Sequence, residues 1–420
     1  MGPKGVLCHL TSLPSSGVDG ARRFLDWMNK AGYSVWQMLP ITPPDEHGSP
    51  YASPSAFAGW PELMQSEYVE AKNEDNYWMN DWALYAAIKE AHDDRPWFEW
   101  PEPLRNRDEQ ALETFRIDAK RHHDQQHRFN AAWTDLKRHA DDQSVQLIGD
   151  VPIFVSHDSA DVWAHRHLFQ LDEQGMPIHV AGVPPDYFSE DGQRWGTVLY
   201  DWEAHRRDNW RWWKERMKRM FRLFHTVRID HFRGIHSNWA IPVDDEHAKN
   251  GHWQTGPGED WLQAMVNLAP SPSNILAEDL GIIPQEVVDL RRKFGLPGMA
   301  VLHFGFHGDI TNNPHHPENI RLDQVVYTGT HDNDTTLGWW SSLDSPTQSA
   351  VKSLMMPNES PPQSLVRMAQ TCDAMMSIVP LQDVLELDTS ARMNTPGTAH
   401  GNWKWSFSWD DILHNQRTEP

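Results

Sequence analysis

The stretch "TVRIDHFRGI" (226–235) sets an arginine and an aspartate two residues apart inside a run with the β-branched composition of a buried strand. Side chains on a strand alternate between faces, so Val227 and Ile229 share one face. Arg228 and Asp230 share the other and meet at the strand's C-terminal end. One such pair is also what a buried structural ion pair looks like. The ends of the other strands decide between the two readings.

Including the run that ends at Asp230, "HTVRID" (225–230), eight stretches read as buried strands. The others are "GVLCHLTS" (5–12), "YSVWQMLP" (33–40), "SVQLIGD" (144–150), "SNILAED" (273–279), "GMAVLHFGF" (298–306), "QVVYTGTHD" (324–332) and "SIVPLQDV" (377–384). Helical patterns separate many of them, at 21–31, 284–293 and 364–376. The clearest spans 208–224, where Trp210, Trp213, Met217, Met220, Phe221 and Phe224 follow helical spacing and arginines and lysines take the other face. Eight strands alternating with helices predict an α/β chain folded as a (β/α)8 TIM barrel. An open doubly wound sheet is the alternative, but no Gly-x-Gly-x-x-Gly turn or phosphate loop supports it. Residues 1–420 are read as a single catalytic barrel. Within it, 61–143 is too long for one connection and reads as an inserted helical subdomain, with "DWALYAAIKEAH" its clearest helix. The segment 158–202, rich in Gly, Pro and aromatic residues, reads as a long active-site loop region.

Composition narrows the partners. The 37 lysines and arginines against 59 acidic residues leave a net charge of -22, which repels nucleic acid and anionic membrane, so a neutral partner is expected. Two cysteines, Cys8 and Cys372, make no disulfide framework or Cys-x-x-Cys site. With no leader-like N-terminus and no run of the roughly 18 apolar residues a membrane span needs, a cytoplasmic location is expected. The 24 histidines include the patches His122-His123, His165-Arg166-His167 and His315-His316; without a His-Glu-x-x-His pattern they read as solvated, and no metal site is expected. Each of the 22 tryptophans, taken singly, reads as part of an aromatic-rich core or surface; taken together they suit a surface that stacks on sugar rings.

Other strand ends carry acids too: Asp150, Glu278-Asp279 and His331-Asp332. Carboxylates converging on one rim repel and desolvate one another, which is a poor way to hold a fold and a good way to build a site. Hydrolysis or transfer at a glycosidic bond needs one carboxylate to attack the anomeric carbon and one carboxylic acid to protonate the leaving oxygen. Asp230 and Glu278 fit these roles. Arg228 is expected to depress the Asp230 pKa and keep it anionic, while the apolar run before Glu278 is expected to raise that residue's pKa. Asp332 is placed to stabilise oxocarbenium-like charge, with His331 donating to the same sugar; Asn333 and Asp334 shape the turn.

At these residues the chain resembles the 4-α-glucanotransferases of glycoside hydrolase family 77, the amylomaltases or disproportionating enzymes. The matching segments are "HLTSLP" (9–14), "GSPYASPSAFAG" (48–59), "GDVPIFVSHDSADVWAH" (149–165), "VAGVPPDYFSEDGQRWG" (180–196), "VRIDHFRG" (227–234), "LAEDLG" (276–281), "YTGTHDND" (327–334) and "ARMNTPGT" (391–398). The resemblance implies a barrel with Asp230 as nucleophile, Glu278 as acid/base and Asp332 as third carboxylate. It implies substrate contacts from Asp150, Arg228, His331, Ser49, Tyr51, Trp195 and Asp186, and no metal or organic cofactor. The implied partners are α-1,4-glucans and glucose, with one glucan segment passed to another glucan's 4-hydroxyl by retaining double displacement. An α-amylase-like hydrolase would use the same carboxylates, and a non-catalytic glucan-binding protein would use the tryptophans alone. The chain departs from the family pattern after "LTSLPS", where only "SGVDG" (16–20) intervenes, and at Trp60 and Ser406.

Overall fold

The computed structural model describes residues 2–65, 77–185, 190–398 and 400–414. In chain order its strands are β1 (Lys4–Leu7), β2 (Val35–Gln37), β3 (Gln146–Pro152), β4 (His179–Val183), β5 (Gln193–Val198), β6 (Thr226–Asp230), β7 (Ser237–Pro242), β8 (His252–Thr255), β9 (Ile275–Ala277), β10 (Gly298–Val301), β11 (Gln324–Tyr327) and β12 (Met376–Pro380). Each of the eight expected runs contributes one strand to a parallel sheet ordered β10-β11-β12-β1-β2-β3-β6-β9. Its two edges meet where Ala277 N–H donates to the Pro297 carbonyl at 2.9 Å, closing the barrel. In β3 and β6 the register sets Asp150 opposite Arg228, so both point into the barrel at the same level.

Alternation along the strands sorts the core into two layers. Leu7, Val35, Ile148, Leu276, Met299, Val325, Tyr327 and Ile378 fill the barrel interior as one buried cluster. Val6, Trp36, Leu147, Val227, Ile229 and Ala277 face outward into the larger cluster beneath the helices. Burying each such Val, Leu or Ile contributes about 1.5–3 kcal/mol. Gly149 lets the chain pass a packed ring: a Cβ there would lie 2.2 Å from the Phe224 ring.

The outer layer contains helices α1 (Val18–Lys30), α2 (Met79–Ala91), α3 (Arg116–Asp142), α4 (Arg211–Leu223), α5 (Gly258–Val266), α6 (Gln285–Lys293), α7 (Thr336–Ser342) and α8 (Pro361–Thr371). Strand and helix do not alternate everywhere, since β10 and β11 are joined by short 3-10 turns rather than an α-helix. The predicted 364–376 helix begins and ends earlier, as α8, because Met376 already pairs in β12.

The 61–143 segment is helical in its described part, but its long helix is built into the barrel wall. Phe129, Ala132, Trp133, Leu136 and Ala140 of α3 are buried in the main core. Trp133 Nε1 donates to the Leu223 carbonyl at 2.8 Å, and α3 is tied to α1 by the Asp135–Arg22 ion pair. The reading of α4 also needs correction. Residues 208–210 precede the helix, Trp210 adopts a left-handed backbone (φ 59), and Arg216 and Arg219 are buried. Arg216 lies over both Trp212 and Trp213, at 5.4 and 5.0 Å from the ring centroids, which lets its stem and guanidinium pack against apolar surface.

The 158–202 segment is more ordered than a loop. It supplies β4 and β5 to an antiparallel sheet, β5-β4-β7-β8, that the sequence reading did not anticipate. Most tryptophans prove to be core: Trp36, Trp97, Trp133, Trp163, Trp212, Trp213 and Trp261 are fully buried, whereas Trp195 and Trp253 are exposed. Several histidines read as solvated are buried as well, including His122 and His316.

Candidate active site

The C-terminal ends of β3, β6 and β11 bring together the residues that the sequence singled out. Arg228 lies at the centre. Its Nη1 donates to Asp150 Oδ2 at 2.6 Å and its Nη2 lies 2.8 Å from Asp230 Oδ1. The Arg228 and Asp150 side chains are 4% and 0% exposed while that of Asp230 is 29% exposed, so the arginine and one acid lie inside the barrel and the other acid opens to the cleft. Flanking carboxylates push the arginine's affinity for its proton well above the ordinary value, against the opposing effect of burial. Tyr51 hydroxyl donates to the same Asp150 Oδ2 at 2.7 Å. Its ring stacks on His331, with centroids 5.2 Å apart and planes within 7°.

Glu278 follows β9 and faces Asp230 across adjoining strands, with Ile229 paired to Ala277. Two backbone N–H groups hold its carboxylate: His231 N donates to Oε2 at 2.7 Å and Leu280 N to Oε1 at 2.9 Å. His231 reaches this position from a left-handed backbone conformation (φ 52), uncommon for a residue with a Cβ. Burial, reinforced by the charge of Asp230, pushes the Glu278 pKa up to about 7, in the expected direction.

Asp230 departs from expectation. Burial outweighs the Arg228 charge, and Asp150 and Asp332 add repulsion, so its pKa rises to about 6 instead of falling. The arginine is shared with Asp150, which is why one neighbouring cation does not dominate.

Asp332 is held from the side by a segment whose role the sequence reading left unassigned. Asn394 Nδ2 donates to Asp332 Oδ1 at 2.6 Å, Arg392 Nη2 to the Asp332 carbonyl at 2.7 Å, and Asn394 N to the His331 carbonyl at 3.1 Å. His331 Nε2 lies 3.3 Å from Asp332 Oδ1. Trp403 packs 5.8 Å from Tyr51 and 6.0 Å from His331, completing an aromatic wall. "ARMNTPGT" is visible as a motif, but nothing in its composition says that it folds back onto β11. Beneath it the buried Asp383 accepts from Thr328 Oγ1 (2.5 Å) and Thr336 N (2.7 Å), fixing both ends of the loop that carries Asp332.

Other candidates divide. Trp195 lies on β5 with its ring edge-on to His231 at 4.9 Å, at the mouth of the cleft. Ser49 does not reach the carboxylates by any hydrogen bond among the described residues; its Oγ accepts from Tyr51 N at 3.3 Å and shapes the turn that presents the tyrosine. Asp186, with its neighbour Tyr187, lies outside the described residues. Asp279 was counted among the rim acids, and that is corrected: it turns away to Arg291 at 3.0 Å and accepts from Met299 N at 2.7 Å. Successive side chains alternate in direction, so Glu278 and Asp279 cannot both face the cleft. Asn333 and Asp334 do shape the turn, accepting from Thr330 N and Thr335 N at 2.8 Å each. Among the described residues no group of three or more His, Cys, Asp or Glu side chains is arranged to hold a metal ion.

The arrangement supplies two carboxyl groups with raised pKa at the ends of adjoining strands, a third carboxylate beside them, and an aromatic wall. Sequence comparison places the chain among known proteins. The family model described as 4-alpha-glucanotransferase matches residues 8–73 and 63–411. The chloroplastic/amyloplastic 4-alpha-glucanotransferase of Arabidopsis thaliana is 39% identical over 99% of this chain and 83% of its own length. The 4-alpha-glucanotransferase of Thermus thermophilus is 39% identical over 96% of this chain and 94% of its own. Among solved structures, the amylomaltase of Streptococcus agalactiae in complex with acarbose superposes with a TM-score of 0.93 at 30% identity, covering 99% of this chain and 97% of that one.

Proposed function

The chain belongs to the 4-alpha-glucanotransferase family, glycoside hydrolase family 77, and is a glycosyltransferase acting on α-1,4-glucans; we propose that it works by retaining double displacement with Asp230 as nucleophile. The observation that carries this reading is geometric: Asp230 and Glu278 end adjoining strands, Ile229 pairing with Ala277, and the N–H of His231, next to Asp230, donates to Glu278 Oε2 at 2.7 Å, while burial raises the pKa of both acids. Two buried carboxyls this close disfavour double ionisation, so the site holds one carboxylate beside one carboxylic acid, the two forms that the reaction requires.

Asp230 attacks the anomeric carbon while Glu278 protonates the leaving glycosidic oxygen, giving a covalent glucanosyl-enzyme. Glu278, now a carboxylate, then takes the proton from the 4-hydroxyl of an incoming glucan or glucose, which attacks the same carbon and releases Asp230. Asp332 and His331 hold the hydroxyls of the sugar undergoing reaction, and Arg228 and Asp150 fix Asp230 from below. Tyr51, Trp403 and Trp195 supply ring faces and edges against which sugar rings pack. Asp186 is proposed as a further substrate contact, on its position in the "VAGVPPDYFSEDGQRWG" motif. The steps use side chains alone.

The proposed substrates are maltooligosaccharides and fragments of starch or glycogen, with glucose as product and acceptor. A cytoplasmic location is proposed on the two cysteines, neither of which forms a disulfide. The test is incubation with maltotriose. Glucose and longer oligomers should appear while the total of reducing ends stays constant. A steady rise in reducing ends would overturn transfer in favour of hydrolysis, and an unchanged maltotriose pool would overturn catalysis altogether.

A further inference from the structure

The turn after β1 leaves His9 only 4% exposed, and neither ring nitrogen has a hydrogen-bond partner among the described residues. Thr11 Oγ1 and Ser12 Oγ in the same turn are buried without partners too. Buried polar groups are almost always paired, so the His9 ring, with both nitrogens unpaired, points to a ligand. His9 stands on the wall of a cavity of about 20 Å³ whose polar lining also includes Thr330, His331, Asn333, Gln382 and Arg392. That is room for one small polar group, since a water needs roughly 10–15 Å³. Burial, with the neighbouring His331, pushes the His9 pKa down to about 3, so the ring is neutral and offers one N–H donor and one acceptor nitrogen. A hydroxyl group satisfies both.

We infer that His9 binds a hydroxyl group in this cavity and through it acts as a positioning residue for His331 and Asp332. The inference rests on the catalytic reading above. It gives the turn after the first strand, whose glycine-rich continuation is shortened to "SGVDG" in this chain, a part in the site. The hydroxyl comes either from water or from the sugar whose anomeric carbon reacts.

The experiment compares the full-length chain with His9→Leu and His9→Gln on maltotriose and on maltotrioses deoxygenated at single positions of the reacting sugar. His9→Leu should lose roughly 10- to 100-fold in kcat with little change in KM. Its melting temperature should change far less than kcat, because leucine comes near the volume of the ring and only the contact with the hydroxyl is lost. His9→Gln, which can both donate and accept, should recover most of the rate. If water is the ligand, His9→Leu loses the same factor on every analogue. If a sugar hydroxyl is the ligand, one analogue is turned over equally by wild type and variant. Either pattern supports the inference. A folded His9→Leu with wild-type kcat overturns it, as does a parallel loss of activity and melting temperature in both variants, which marks a purely structural role. Asp230→Asn run alongside separates the two layers: activity surviving there overturns the catalytic reading itself.

Discussion

The backbone N–H of His231 donates to Glu278 Oε2 at 2.7 Å, so the residue next to the proposed nucleophile grips the proposed acid. The two carboxyls are therefore set by one piece of backbone. Because His231 is held in the left-handed region, that grip is a strained local conformation maintained by the strands on either side.

Asp230→Asn and Glu278→Gln should each lower kcat by roughly 100-fold or more while leaving the circular dichroism spectrum unchanged. For Asp230→Asn the loss should also abolish trapping of a covalent intermediate, read by mass spectrometry of the protein mixed with a slow glucosyl fluoride. An intermediate still forming on that variant would move the nucleophile elsewhere.

The pH dependence of kcat/KM, which reports the free enzyme, should be bell-shaped and narrow. Asp230 must be ionised, so activity falls as pH drops through about 6; Glu278 must be protonated, so it falls as pH rises through about 7. Initial rates across this range check it, and a flat plateau extending well above neutrality would contradict the assignment.

Stability should move with the same groups. Both carboxyls have folded pKa values raised above their ordinary 3.8 and 4.5, so the folded chain binds protons that the unfolded chain releases. Their contribution is therefore full at acid pH and declines as pH rises from about 4 to about 7. The double variant Asp230→Asn, Glu278→Gln should lose that part of the decline, measured as melting temperature against pH, and be more stable than wild type above neutrality.

Arg228→Met should destabilise the fold by about 3–5 kcal/mol, because it leaves Asp150 buried without its guanidinium. Arg228→Lys should rescue it only in part, since one ammonium does not reproduce the two guanidinium contacts, at 2.6 and 2.8 Å, to Asp150 and Asp230. Urea midpoints of the three proteins give the order.

Asn394→Ala should cut kcat about tenfold by freeing the Asp332 carboxylate, with melting temperature nearly unchanged. Asn394→Asp should be worse, because it sets a like charge at hydrogen-bond distance. Equal rates for the alanine variant and wild type would remove Asn394 from the site.

Eight strands, their order along the chain and the acids at the ends of β3, β6, β9 and β11 were legible in the sequence, because a two-residue alternation and the change from apolar run to polar end are local properties. The resemblance to a known family added which acids matter. Local pattern misread what depends on neighbours brought from far away. The 158–202 segment makes two strands only because β4 pairs with β7, some sixty residues on. Arg216 is buried because the rings of Trp212 and Trp213 receive it. Asp279 found Arg291 instead of the cleft. The direction of the Asp230 shift was set by the balance of burial, one shared arginine and two other carboxylates, a sum over distances that no sequence spacing contains. Sequence determined which groups stand at the strand ends; tertiary structure decided which of them face one another, how far water reaches them, and therefore how strongly they hold protons.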